Sequence, residues 1–205
     1  AYKRLNHNID KARQLHQHFL PRPFSEFDNM AIAVYYKPAE KLGGDFYNII
    51  KIDDLLVFYI VDITGHGLDG AMLNIFIRGA IDSFLLSNPP LEQNLVPSKI
   101  IEFIIEEFQE ENFPADYFIC LEVGILKLKT MELKISNSGI QIPPLIVAKN
   151  GDVREISCID LPISAVIGLD KYDFEDKLVQ LKPGDNLFLT TDGLIEENIN
   201  GEQYG

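Results

Sequence analysis

Apolar residues recur along this chain in two rhythms, and the changes between them set out the fold. Over residues 1–20, Leu5, Ile9, Ala12, Leu15 and Phe19 fall at three- and four-residue steps, the spacing of one helical stripe. Lys3, Arg4, Asp10, Lys11, Arg13 and Gln14 occupy the other faces, and Pro21 and Pro23 end the pattern. A helix so weakly apolar is marginal alone, so it is expected to pack on the domain or to pair with another chain. His7, His16 and His18 lack the four-residue spacing of a helical metal pair and are expected at the solvated surface.

From Met30 the rhythm becomes that of strands. Met30–Lys37, Gly43–Ile52 and Leu55–Val61 read as strands, with Asp53-Asp54 turning the last two into an antiparallel hairpin. Leu68–Leu86 reads as a helix ended by Asn88-Pro89-Pro90. Pro97–Glu110 reads as a second, with Pro at its start. Ile100, Ile101, Ile104, Ile105 and Phe108 share one face of that helix, and Glu102, Glu106, Glu107 and Glu110 form a solvated opposite face. Strands return at Tyr117–Leu128, Met131–Ser136, Leu145–Lys149, Val153–Ser157, Leu178–Leu181 and Asn186–Thr191. Strands joined by tight turns, with two central helices, predict an α+β layered sandwich rather than repeated βαβ units.

Three of these apolar runs end or begin at an aspartate beside glycine: Gly43-Gly44-Asp45, Asp62 before Gly65-His66-Gly67, and Asp192-Gly193. Each Asp-Gly alone is an ordinary turn signal. Together, three rigidly held carboxylates suggest one acidic pocket suited to hard cations.

Charge sharpens this reading. The chain of 205 residues fits one domain, and its formal net charge of -13 argues against nucleic acid or an anionic membrane as the main partner. Such a protein repels phosphate-bearing substrates unless cations intervene. Cys120 and Cys158 lack CxxC spacing, so neither a disulfide framework nor a zinc site is indicated, and Cys120 is expected to be a buried thiol. No apolar stretch of membrane-span length is expected and the start lacks a signal peptide's core, which predicts a cytoplasmic protein with no direct membrane insertion.

In their order, Gly43-Gly44-Asp45-Phe46-Tyr47, Asp62-Ile63-Thr64-Gly65-His66-Gly67, Asn137-Ser138-Gly139, Leu161-Pro162, Thr191-Asp192-Gly193 with Glu196, and Gly201-Glu202-Gln203-Tyr204-Gly205 resemble the bacterial SpoIIE/RsbU-type phosphatases. These are metal-dependent serine/threonine phosphatases of the PP2C (PPM) superfamily. The resemblance implies a PP2C-like αββα sandwich over residues 21–205, preceded by a linker or dimerisation helix over 1–20. It implies that Asp45, Asp62 and Asp192, with the backbone carbonyl of Ile63, hold two Mn²⁺ or Mg²⁺ ions, Asp45 and Asp62 being the catalytic carboxylates. Hydrolysis of a phosphoserine or phosphothreonine by a cation-activated water would follow. The implied partners are a phosphorylated STAS-domain anti-anti-sigma-like protein, an upstream sensor domain, and a second copy through the N-terminal helix.

The pattern departs from the family in two places. The family has a further metal-binding aspartate in an Asp-Asp-x-Thr strand, which the chain does not reach by Gly205; truncation or disorder is expected rather than loss of a ligand. Gly139-Ile140 stands where the family often has Gly-His, which bears on the local loop. His66 reads as a general acid or as a turn residue between glycines, and Arg78 as a surface or interface residue. The competing function is a catalytically inactive signalling or scaffold module of the same fold. A nucleotide cyclase is disfavoured because Gly43-Gly44-Asp45-Phe46 lacks the acidic fourth residue of a GGDEF loop.

Overall fold

The computed structural model describes residues 2–21, 24–27, 30–38, 42–65, 67–88, 95–158, 160–196, 198–199 and 202–203. A six-stranded antiparallel sheet forms its centre. The strands β3 (Phe46–Ile52) and β4 (Leu55–Ile63) make the expected hairpin, and Asp53 turns it at φ 50°, a left-handed conformation that a short polar side chain tolerates. Next to β4 lies β5 (Phe118–Lys127), then β6 (Glu132–Ser138) and β10 (Lys177–Gln180), while β9 (Ile163–Ser164) pairs with the start of β5. Phe58 sits opposite Gly124, where any side chain would collide with its ring.

Alternation along the strands gives this sheet two buried faces. Val57, Tyr59, Val61 and Ile63 of β4, with Ile119, Leu121, Val123 and Ile125 of β5, meet the helices α2 (Leu68–Ser87) and α3 (Pro97–Glu110). The α3 face foreseen from the sequence is the heart of this layer: Ile100, Ile101, Ile104, Ile105 and Phe108 are wholly buried. Its first turn is capped from a distant loop, since the Asp176 carboxylate accepts from the Ser98 N–H at 2.9 Å and the Ser98 hydroxyl at 2.7 Å. On the other face, Leu56, Leu126, Leu133 and Ile135 pack against Ile146 and Leu187 of a second sheet. That sheet is β11 (Asn186–Phe188), β7 (Leu145–Val147) and β8 (Val153–Glu155), all antiparallel.

Several elements differ in extent from the sequence reading. The strand from Met30 stops at Ala33 and pairs as β2 with an unforeseen β1 (Phe24–Phe27). The last long strand stops at Phe188, because β7 offers it only three partners. The remaining short strands are β12 (Asn198–Ile199) and β13 (Glu202–Gln203). Contrary to expectation, α2 matches a membrane span by length and composition. Its apolar residues wrap all round: Leu73, Ile77, Ile81 and Leu85 enter the core, while Leu68, Met72, Ile75 and Leu86 are exposed.

The N-terminal helix α1 (Tyr2–Phe19) rests on α2 by its last turn. This corrects the expected exposure of His16, which is 7% exposed, its Nε2 lying 3.4 Å from the Asn74 side-chain amide. Helical periodicity alone does not reveal which face of a weakly apolar helix another helix will cover. The Arg78 guanidinium donates to the Phe19 carbonyl, lies over the Phe19 ring at 5.6 Å and pairs with Asp82, so Arg78 is an interface residue within the chain.

Candidate functional site

The hairpin brings the first two aspartates together by register. Phe46 pairs with Val61, so one further step places Asp45 opposite Asp62. Val61 and Ile63 point into the helix-side core, which turns Asp62 to the opposite face, across from Cys120 of β5. Asp45 itself is held through backbone carbonyls of its loop. The Gly67 N–H donates to the Leu42 carbonyl at 3.3 Å, Asn74 Nδ2 to the Gly43 carbonyl at 3.3 Å, and the Tyr36 hydroxyl to the Asp45 carbonyl at 3.2 Å. Gly44 lies against the carbonyls of Ile63 and Gly65, and the α2 residue Gly70 abuts Gly44 in turn.

Asp192 arrives from the far end of the chain. It opens the short 3₁₀ turn Asp192–Leu194 rather than ending a strand. Its neighbour Thr191 donates from Oγ1 to Asp45 Oδ2 at 2.8 Å. The Asp62 carboxyl lies close enough to those of Asp45 and Asp192 for all three to interact. Burial, then the charges of Asp45 and Asp192, push the Asp62 carboxyl up to about 7. Burial and the charge of Asp192 also raise Asp45, against the opposing hydrogen bonds from Thr191 and Asp62.

Of the sequence-predicted residues, Asp45, Asp62 and Asp192 come together, while the Ile63 carbonyl lies against the backbone of Gly44. The three side chains offer only carboxylate oxygens, and none of the ion pairs seen among the described residues reaches these aspartates. Such crowded carboxylates fit hard divalent cations, which would relieve their mutual repulsion. Among the described residues they do not stand as a closed three-ligand cage.

Three neighbours qualify the expectations. Cys120 is half-buried at the edge of this cluster, and burial with the charges of Asp62 and Asp192 pushes its thiol up to about 12. The departure at Gly139-Ile140 is an ordered turn: Asn137 Nδ2 donates to the Ile140 carbonyl at 2.7 Å, and the Ile140 N–H donates to Asn137 Oδ1 at 2.9 Å. His66 lies outside the described residues. Sequence reasoning assigned no role to Thr191; the signal available was a hydroxyl residue directly before Asp192-Gly193.

A family model described as Stage II sporulation protein E (SpoIIE) matches residues 52–205. The chain is 22% identical over 189 residues to Phosphoserine phosphatase RsbU of Bacillus subtilis (strain 168), covering 92% of this chain and 53% of that protein. It thus spans about half the length of that relative. Among solved structures it resembles the SiaA-PP2C domain of Pseudomonas aeruginosa, with a TM-score of 0.80 and 20% identity over 100% of this chain and 79% of that one. RsbX in complex with magnesium matches with a TM-score of 0.64 and 15% identity, over 86% of this chain and 79% of that one. The fold is that of a PP2C domain, and the chain belongs to the SpoIIE family.

Proposed function

We propose that this protein is a metal-dependent phosphatase that removes phosphate from phosphoserine or phosphothreonine of a signalling protein. The observation that carries the reading is the meeting of Asp45, Asp62 and Asp192 with no cationic side chain as counter-charge among the described residues. The name of RsbU, a phosphoserine phosphatase, supports the reaction, and the magnesium complex of RsbX supports the cation class.

Asp45, Asp62, Asp192 and the Ile63 carbonyl would hold two Mn²⁺ or Mg²⁺ ions. When bound, such a pair supplies Lewis acidity for water and offsets charge on the phosphoryl group. The chain's own contribution is positional. The hairpin fixes Asp45 beside Asp62, and the Gly44 contact brings the Ile63 carbonyl against the same loop. Asp62 holds a proton near neutrality and must release it for the carboxylates to act as ligands.

The partner we propose is a phosphorylated STAS-domain anti-anti-sigma-like protein. A second copy would pair through α1, whose Leu15 is 63% exposed. A reducing cytoplasm suits the free thiols of Cys120 and Cys158.

The test is release of inorganic phosphate from a phosphorylated STAS-domain protein and from a phosphoserine peptide. Mn²⁺ should support it, excess EDTA should stop it, and Asp62→Asn should abolish it. Undiminished release in EDTA overturns the metal-dependent reading. Absence of both Mn²⁺ binding and turnover favours the inactive signalling module instead.

A further inference from the structure

We propose that Thr191 is a positioning residue that sets the orientation of the Asp45 carboxylate for a divalent cation, an inference resting on the phosphatase reading above. Thr191 stands at the N-cap of the 3₁₀ turn Asp192–Leu194 in extended conformation (φ -85°, ψ 172°). A threonine there ordinarily turns its hydroxyl onto the turn's own N–H groups. Here no side-chain cap bond forms, and the hydroxyl crosses to Asp45 Oδ2 at 2.8 Å instead.

The backbone beneath it is fixed independently. The Thr191 carbonyl accepts from the Thr190 hydroxyl at 3.0 Å and from the Leu194 N–H at 3.5 Å. A β-branched side chain on a fixed backbone has little χ1 freedom, so its hydroxyl oxygen is held in place beside Asp45. Gly193 lies on the same side, where even an added β-carbon would stand at ordinary contact distance, 3.9 Å, from Asp45 Oδ2. The hydroxyl therefore occupies one lone pair of Oδ2 and restrains rotation of the carboxylate that would receive the cation. Outer partners of this kind tune cation affinity by about 10–100-fold when removed.

The experiment compares Thr191→Val, which keeps shape without a donor, with Thr191→Ser, which keeps the donor. Calorimetric titration with Mn²⁺ alone gives affinity, and phosphate release across a Mn²⁺ series gives half-saturation and the saturated rate. Thr191→Val should weaken Mn²⁺ binding at least tenfold and raise half-saturating Mn²⁺ equally, with the saturated rate within about threefold of wild type. Thr191→Ser should return both values to within about threefold of wild type. Wild-type affinity in Thr191→Val overturns the proposal, as does equal loss in Thr191→Ser. Should Thr191→Val not fold, Thr191→Ala replaces it, with far-ultraviolet circular dichroism as the control. If wild type itself neither binds Mn²⁺ nor releases phosphate, the phosphatase reading fails and this inference falls with it.

Discussion

A β-carbon on Gly44 would stand 2.6 Å from the carbonyl oxygen of Ile63, closer than side chains approach in proteins. The carbonyl next to Asp62 and the backbone next to Asp45 are thus in contact through an absent side chain. Gly44→Ala must push the hairpin's open end apart or rotate the Ile63 carbonyl. The expected outcome is a loss of about 1–3 kcal/mol in stability. Mn²⁺ affinity, measured by calorimetry, should fall more than tenfold. A variant with unchanged affinity would show that the close approach does not matter to the site.

Cation binding should depend on pH through Asp62. Its carboxyl, pushed up to about 7 by burial and by Asp45 and Asp192, must ionise before it can serve as a ligand. Below about pH 7 the Mn²⁺ affinity should fall about tenfold per pH unit, flattening above it. Titrations between about pH 5.5 and 8 check the slope.

Glu122 gives a pH effect of its own on stability. It is 1% exposed on β5, both of its oxygens lack partners, and burial pushes it up to about 8 from 4.5. With the folded value above the unfolded one, its stabilising share is complete below pH 4.5 and is lost as pH rises through about 8. The loss across that window amounts to roughly 5 kcal/mol at most. Glu122→Gln should flatten the decline in denaturant midpoint between pH 5 and 8 (about 5 and 8 spanning the window). An unaltered decline would place its origin elsewhere.

The docking of α1 should loosen in acid. Burial lowers His16 below its ordinary value of 6.5, so the unfolded or undocked state takes up the proton first. This share of stability is present above pH 6.5 and is lost as pH falls toward the lowered folded value. Hydrogen exchange of the last turn of α1 should therefore accelerate on acidification, and His16→Leu should remove that dependence.

What the sequence disclosed was whatever depends on neighbours within one element. The β3–β4 hairpin was visible in its apolar runs and Asp53-Asp54, and the buried face of α3 in its isoleucine spacing. Asp45, Asp62 and Asp192 were visible as a set because glycines mark each of them. Contacts between distant segments were not: no periodicity foretells that His16 will meet Asn74, or that the Thr191 hydroxyl will leave its own turn for Asp45. Strand ends were over-read where pairing partners run out, as at Phe188. Cys120 looked like an ordinary core residue because its run is apolar. Its place opposite Asp62 follows from sheet register, which only the assembled fold supplies.

The bond from Thr191 to Asp45 joins residues 146 positions apart. Closing so large a loop costs entropy that local pairing does not, so this clasp is expected to form after the hairpin and helices it secures. During synthesis the first two carboxylates leave the ribosome long before the third. A copy that stops short of residue 192 lacks the complete trio, and the acidic centre comes into being only after that residue has been made.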